Sequence, residues 1–211
     1  MDSPSGLPIV VRMQGPYDAD VPLQIVCYFM ETPNAKSKLF GAPVELDTRL
    51  GGIITSLRQR VEFKGDALET MLLEPPVGSI KPKKLLLIGL GGEADLTLDR
   101  MEAVGRTALR EAVRIGATQV AFAPLIKDAG NDSLPAGDVE NAVIRGVLLA
   151  YDTQVRLHNQ GFAPELKLNT WIVEAGPTYY EETIAGVKQA LKESQQLIDQ
   201  RATGAYSTLS K

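Results

Sequence analysis

The sequence predicts an α/β fold of three layers, with a central mixed, mostly parallel sheet between helices. Two patterns carry this. From about residue 83 onward, strand-like and helix-like segments alternate, an order that feeds parallel strands with helices on both faces of the sheet. Within that region "KKLLLIGLGG" is apolar without interruption, which suits a strand buried on both faces rather than one with a wet side. Size agrees: 211 residues, 44% hydrophobic and 23% charged, suit one compact domain with a sizeable core, expected over 1–200 with a flexible tail over 201–211.

Taken in order, "LPIVVRM" and "VPLQIVCYFM" read as strands, and the turn residues Gly15, Pro16 and Asp18 between them suggest a hairpin. A polar loop, "ETPNAKSKLFGAPVE", leads to "LDTRLGGIITSLRQRV", where Leu50, Ile53, Ile54, Leu57 and Val61 recur at helical spacing and Asp47 can cap the start. Gly51 and Gly52 in its first turns weaken a helix, so they need a reason, and close packing against a strand is one. "ETMLLEPP" reads as a strand stopped by two prolines. Helix "LDRMEAVGRTALREAVRIG" turns Leu98, Met101, Gly105, Ala108, Leu109 and Ala112 inward and stops at Gly116. Strand "TQVAFAPL", a loop over 127–137 and a helix over 136–156 follow, then a strand in "LKLNTWIVEA". The last helix starts in "PTYYEE", where Thr178 and Glu181 have capping-box spacing, and carries an apolar stripe of Ile184, Val187, Leu191, Leu197 and Ile198. The strands at 85–90, 120–123 and 170–174 are expected side by side, with the loops at 89–93, 127–132 and 176–178 on one rim.

Composition excludes several function classes. The net charge is −4 and there is no Lys/Arg block, so nucleic acid, which demands phosphate neutralisation, is not an expected partner. Lys81, Lys83 and Lys84 cluster, but directly before an apolar strand, where they serve solubility. The single cysteine, Cys27, has no partner for a disulfide and sits in an apolar strand as a small hydrophobe, which fits a reducing, cytoplasmic setting. "MDSPSGLP" has neither the positive nor the apolar region of a signal peptide, and no apolar run reaches the ~18 residues that span a bilayer.

Chemistry is expected, if anywhere, in the loop over 127–137, because it joins a strand's carboxyl end to a helix's amino end. It holds Asp128, Asn131 and Asp132, with Asp138 and Glu140 just beyond, but lacks the spacing of a calcium loop. Asp138 and Glu140 lie two apart in a first helical turn, point in different directions and complement the helix dipole. No metal site is expected. Glycines after buried strands can admit a phosphate to the backbone. Gly89, Gly91 and Gly92 in "IGLGG" are such a place, although they do not form G-x-G-x-x-G, and Gly51 and Gly52 are another. His158, near a helix C-terminus, has no Ser or Cys partner in a recognisable motif. No nucleophile elbow, H-E-x-x-H, Walker loop or C-x-x-C occurs.

Together, "LDTRLGGIITSLRQRVEFKGDALETMLLEPP", "KKLLLIGLGG", "VGRTALREAVRIGATQVAFAP" and "ETIAGVKQAL" make the chain similar to the N-terminal domain of leucine aminopeptidases, in the same order and over roughly residues 7–191. The resemblance implies a macro-domain-like α/β/α fold. It does not carry the peptidase chemistry, which in that family lies in a larger two-metal catalytic domain with an "NTDAEGR" run. The nearest string here, "LNTWIVEAG", shares only Asn169 and Thr170 with the start of that run and lacks its acidic ligands. The segment "VAFAPLIKDAGNDSLPAGDVENA" also resembles the phosphate loop of macro domains, which often bind ADP-ribose, and "LFGAPVELDTRLGGII" resembles their glycine-rich loop and helix. Where those have S-T-G-x-x-G, this chain has Lys127-Asp128-Ala129-Gly130-Asn131-Asp132, and carboxylates facing a diphosphate at low local dielectric cost on the order of a few kcal/mol. The resemblance therefore implies a stand-alone, non-catalytic homologue that acts by protein interaction, self-association or regulation, with no cofactor. The alternative is a small-anion or ADP-ribose-type site at a vestigial cradle of Gly51, Gly52, Gly89, Gly91, Gly92, Asp128, Gly130 and Asn131. Aminopeptidase activity, inherited by family name, is the least expected.

Overall fold

A computed structural model of the chain describes residues 1–31, 39–201 and 204–206. Residues 32–38 of the polar loop and most of the expected flexible tail fall outside them, while the last four residues of that loop, 42–45, are helical instead of loop. Six strands form one sheet: β1 (Ile9–Arg12), β2 (Leu23–Phe29), β3 (Thr70–Leu73), β4 (Leu85–Gly91), β5 (Gln119–Ala123) and β6 (Thr170–Glu174). Their spatial order is β1-β6-β5-β2-β4-β3. Every pairing is parallel except β3 with β4. The helices are α1 (Ala42–Arg49), α2 (Ile53–Gln59), α3 (Leu98–Arg114), α4 (Ala136–Asn159) and α5 (Tyr180–Asp199). The mixed, mostly parallel sheet between two helical layers is the architecture the sequence predicts.

Alternation along the strands explains the layers. In β2, Leu23, Ile25, Cys27 and Phe29 face the core made with α3, α4 and α5, while Val26 and Tyr28 face a second core made with Leu46 and Leu50 of the α1 segment and Ile54 of α2. Every residue of β2 and β4 is buried, as expected of strands covered on both sides. Met101, Leu109, Val143 and Val147 are fully buried against the sheet. Gly116, at φ 69°, ends α3, and the Ala117 amide bonds back to the Ala112 carbonyl at 2.9 Å.

Four local expectations are corrected. First, β1 and β2 do not form a hairpin: β1 pairs with β6 at the sheet's edge and β2 lies between β4 and β5, all in parallel. A seven-residue strand buried throughout needs a central place. The residues between β1 and β2 therefore cross the sheet face, where Ala19 and Val21 pack on Ala121 and Ile172. Second, β2 is inserted between β4 and β5, so the strands at 85–90 and 120–123 share the sheet but do not touch. Third, the helix expected from Asp47 is two helices. Gly51 and Gly52 take φ 71° and 79°, with open space where a side chain would stand, so left-handed backbone rather than close packing requires them. Asp47 does cap, from inside α1: its Oδ1 accepts the Ile54 amide of α2 at 2.8 Å across the break. Fourth, Thr178 and Glu181 form no capping box. A 3-10 turn over Pro177–Tyr179 precedes α5, whose N-cap residue is Tyr179 and makes no side-chain cap bond.

The helical layer over the larger core is held at glycine contacts. A Cβ on Gly105 of α3 would lie 2.1 Å from the Val143 carbonyl oxygen of α4, and one on Gly146 of α4 would lie 2.1 Å from the Glu102 carbonyl oxygen of α3. On α5, a Cβ at Gly186 would lie 2.1 Å from the Gly137 carbonyl oxygen of α4. Arg145 of α4 braces the layer, with Nη2 2.6 Å from Glu102 of α3 and Nη1 3.1 Å from Glu193 of α5.

Intrinsic propensity favours alanine over glycine in a helix by about 0.8–1.0 kcal/mol. Gly146→Ala should nonetheless destabilise the chain, by about 1–3 kcal/mol, because the helices must part to admit the methyl group. Val147→Asp should abolish cooperative folding by placing an unpaired charge in the core. Urea unfolding followed by circular dichroism checks both.

Candidate functional site

Because β1, β2, β4, β5 and β6 run in parallel, the loops that follow them leave one rim of the sheet, the place where α/β folds bind ligands. A cavity of about 460 Å³ opens there. The crossing segment after β1 supplies Met13–Pro16, the end of β5 and its loop supply Ala123–Asp128, and α4 supplies Ala136, Val139 and Glu140. Glu174–Pro177 after β6, Tyr179, Thr183 of α5 and Ala42 of α1 complete the lining. The walls are mostly apolar. Leu125 sits in this lining at φ 55°, a strained conformation for a branched residue that holds the chain as it turns off β5.

Three carboxyl groups stand in these walls, each in a different state. Glu174, at the end of β6, is buried, and it accepts hydrogen bonds from Gln14 Nε2 at 2.9 Å and Gln24 Nε2 at 2.6 Å. Gln24 is fully buried on β2 and reaches Glu174 past β5, whose residues on that face are the small Ala121 and Ala123. Burial nevertheless pushes the Glu174 carboxyl up to about 7, opposed by the two amide donors. Glu140, in the second turn of α4, is 3% exposed, and its Oε2 has no hydrogen-bond partner among the described residues. Burial alone pushes this carboxyl up to about 8. Cys27 of β2 lies close enough for Glu140 to add to the upward shift that burial gives its thiol. Asp128 is half-buried and also shifted upward by burial, but its Oδ1 accepts the Ala42 amide at the N-terminus of α1 at 3.2 Å.

The N-termini of α1 and α4 at this rim are thus met by the protein's own acids. Asp128 caps α1, and Glu182 of α5 accepts the Gly137 amide of α4 at 3.1 Å. Lys127, the cation among the described lining residues, is tied back. Its Nζ lies 3.0 Å from both Asp132 Oδ1 and the Leu134 carbonyl, and 5.8 Å above the Tyr179 ring.

Of the eight residues proposed from sequence for a cradle, the structure brings Asp128 alone into this cavity. Gly130, at φ 76°, and Asn131 belong to the turn beyond it, with Asn131 Oδ1 accepting the Ser133 amide at 3.1 Å. Gly51 and Gly52 form the break between α1 and α2. Gly89 and Gly91 meet protein instead of open space. A Cβ at Gly89 would lie 1.9 Å from the Asp66 carbonyl oxygen, and the Gly91 amide donates to the Gly65 carbonyl at 2.8 Å. Gly92 turns into the short helix Glu93–Asp95, where its Cβ would meet Asp95. The loops at 127–132 and 176–178 contribute to the cavity and the one at 89–93 does not. Asp138 does not line the cavity, while Glu140, read from sequence only as complementing the helix dipole, does. The legible signal was its spacing: Glu140 precedes Val143, Ile144 and Val147 by three, four and seven residues, which places it on the buried stripe of α4.

Residues 25–157 match the model of the cytosol aminopeptidase family, N-terminal domain. The chain belongs to this family. A probable cytosol aminopeptidase of Thermosynechococcus vestitus is 33% identical over 121 residues, 57% of this chain and 23% of that protein. One from Alkaliphilus oremlandii is 36% identical over 85 residues, 40% of this chain and 17% of that protein. The match thus spans less than a quarter of the length of these curated relatives. Among solved structures, a mutant of tomato leucine aminopeptidase superposes with a TM-score of 0.63 at 19% identity, covering 94% of this chain and 37% of that one. The macro domain of ganglioside induced differentiation associated protein 2 gives 0.62 at 8% identity, covering 89% and 86%. A Trypanosoma brucei macrodomain in complex with ADP gives 0.56 at 14% identity, covering 85% and 69%. At these identities the likeness is one of fold, and it confirms the macro-domain-like architecture. Among the described residues no group of three or more His, Cys, Asp or Glu is placed to hold a metal ion, and no helix is long and apolar enough to cross a membrane.

The two raised carboxyls make stability depend on pH. The folded chain keeps protons on Glu174 up to about pH 7 and on Glu140 up to about pH 8, whereas the unfolded chain releases them near the ordinary carboxylate value of about 4.3. The stability these groups permit is therefore complete below the unfolded value and falls as pH rises through 7 to 8. Relative to the wild type, Glu140→Gln should gain stability as pH rises from about 4 to 8.5, by on the order of a few kcal/mol. Thermal melts from about pH 4 to 9 check the difference.

Proposed function

We propose that this chain acts as a non-catalytic, cytoplasmic regulatory module of the cytosol aminopeptidase family, responding to a small molecule in the rim cavity that is not a nucleotide phosphate. One observation carries the reading: Asp128 and Glu182 occupy the N-termini of α1 and α4 at the rim, where a phosphate would otherwise be received. A diphosphate entering the cavity would meet Asp128 with Lys127 already committed to Asp132, and like charges at short range in a partly desolvated site repel. What remains is a mostly apolar cleft of ligand size with a few polar groups, which is how small-molecule sites are built.

A protein-interaction role is the second reading, and a different observation favours it. Phe40, Val44, Ile53 and Val61, in and around α1 and α2, are all exposed. Apolar side chains gathered on one segment mark contact surfaces when they form a continuous patch.

Isothermal titration of the purified chain with ADP-ribose at low salt should give no binding in the micromolar range, which corresponds to about −8 kcal/mol. Micromolar affinity would overturn the regulatory reading in favour of a nucleotide site. The same preparation with added Mn²⁺ or Zn²⁺ should not release product from a leucine chromogenic substrate. Chelator-sensitive activity that survives repurification would overturn the non-catalytic assignment. Sedimentation equilibrium tests the second reading: self-association that Val44→Asp abolishes would support it.

A further inference from the structure

Glu140 is a buried residue whose Oε2 has no hydrogen-bond partner among the described residues, and it belongs to the lining of the rim cavity. A protein gains nothing for its own stability from such a group. An unpaired buried carboxyl must either stay protonated or be charged at a large desolvation cost. The two other acids of the cavity are already engaged, Glu174 by Gln14 and Gln24 and Asp128 by the Ala42 amide. Of the three acids in these walls, Glu140 is therefore the one left for a ligand. The three acids are not grouped closely enough with other ligating side chains to hold a metal ion. The walls around Glu140 are apolar, with Val139 beside it on α4 and Ile126 in the loop after β5. The ligand chemistry that fits an isolated acid in an apolar cleft is a single cationic nitrogen on a hydrocarbon body.

We propose that the cavity binds a small organic amine, its ammonium paired with Glu140 and its apolar body lying along Val139 and Ile126. The inference rests on the reading of this cavity as a small-molecule site and names the class of molecule. Pairing brings an opposite charge against the carboxyl and favours its ionised form. Near neutral pH the acid of the free protein carries its proton, so binding of R–NH₃⁺ forms the ion pair and releases that proton from Glu140 to solvent. The other ionisable groups around Glu140 in the cavity and on its neighbouring elements include Cys27 of β2, Glu174 of β6, Lys127 and Asp128 of the β5–α4 loop, Tyr179 before α5, Glu182 of α5 and Asp138 of α4 itself. Lys127, the cation among them, is held by Asp132 at 3.0 Å and is not free to pair with Glu140.

The test uses the full chain and three probes of one shape: isopentylamine, the neutral 3-methylbutan-1-ol and the anionic 4-methylpentanoate. Backbone and methyl NMR titrations should show the amine shifting Ile126, Val139 and Thr183, with at least tenfold higher affinity at pH 8.5 than at pH 6. The alcohol and the acid should bind at least tenfold more weakly than the amine at pH 8.5. Glu140→Gln should lose the amine preference and its pH dependence. Calorimetry of the wild type in buffers of different ionisation enthalpy should show about one proton released per amine bound at pH 7. Equal binding of amine and alcohol, unchanged amine affinity in Glu140→Gln, or no proton release would overturn the assignment. If the alcohol or the acid enters the cavity and the amine does not, the cavity stands as a ligand site and only the amine assignment falls. If none of the three perturbs these residues, the small-molecule reading falls with it.

Discussion

Helix α4 is held between α3 and α5 at separations that tolerate no side chain, and the geometry of the rim follows from that constraint. Gly146 faces the Glu102 carbonyl, Gly105 the Val143 carbonyl and Gly186 the Gly137 carbonyl, so backbone touches backbone on both sides of α4. Close-packed interiors transmit such constraints without slack. The helix cannot rotate without driving one of these contacts into a clash, and so its inward stripe is set residue by residue. Val143 and Val147 land on the sheet, and Glu140, one turn earlier on the same stripe, lands at the sheet's edge. A carboxyl in this place is held there by the packing of the layer and not by any partner of its own.

The second determinant of the site is the way the rim treats charge. Parallel strands collect the amino ends of helices on one side, and each exposes amides that favour an anion. Here the protein supplies the anions. Asp128 reaches from the β5 loop to α1, and Glu182 from α5 to α4, so each pairing also ties two elements together. Gly41 fits the first of these: a Cβ there would stand 2.6 Å from Asp128 Oδ1. The cleft therefore keeps the position common to the fold while its dipoles are answered from within. The glycines of "IGLGG" show the same internal use, since the chain at Gly65 and Asp66 fills the space against Gly89.

The layers and most of the strands were legible in the sequence, because burial on both faces and helical periodicity are properties of short windows. "KKLLLIGLGG" and the stripe through Met101, Ala108 and Leu109 declare their surroundings within ten residues. Strand partners were less legible. The Gly15-Pro16 turn looks the same whether the chain folds back or crosses the sheet, and the decision lies in the burial of all seven residues of β2, which only the assembled sheet provides. Capping failed for a related reason. Thr178 and Glu181 have the right spacing, but Pro177 opens a 3-10 turn that displaces the start of α5, whereas Asp47 caps a helix that begins six residues after it. The glycine cradle was expected from local permissiveness, and three of those glycines lie against protein instead. Glu140 was written plainly into an apolar stripe, yet beside Asp138 in a first turn it also looked like an ordinary answer to the helix dipole.

Fold and chemistry part company at this rim. The superpositions with macro domains show the fold, and one of those proteins was solved in complex with ADP. An architecture positions loops, while the side chains on them decide the ligand. In this chain those side chains put an acid on each face of the sheet: Glu140 stands on the side of α4, and Glu174, bonded to Gln24, on the side of Ala121 and Ile172. A cavity bounded by both spans the edge of the sheet, and its two acids have been treated differently. One is supplied with two amide donors and the other with none. Glu174 is answered by Gln14 and Gln24, while Glu140 Oε2 is left without a donor at the cavity wall, and the partner proposed for it comes from outside the chain.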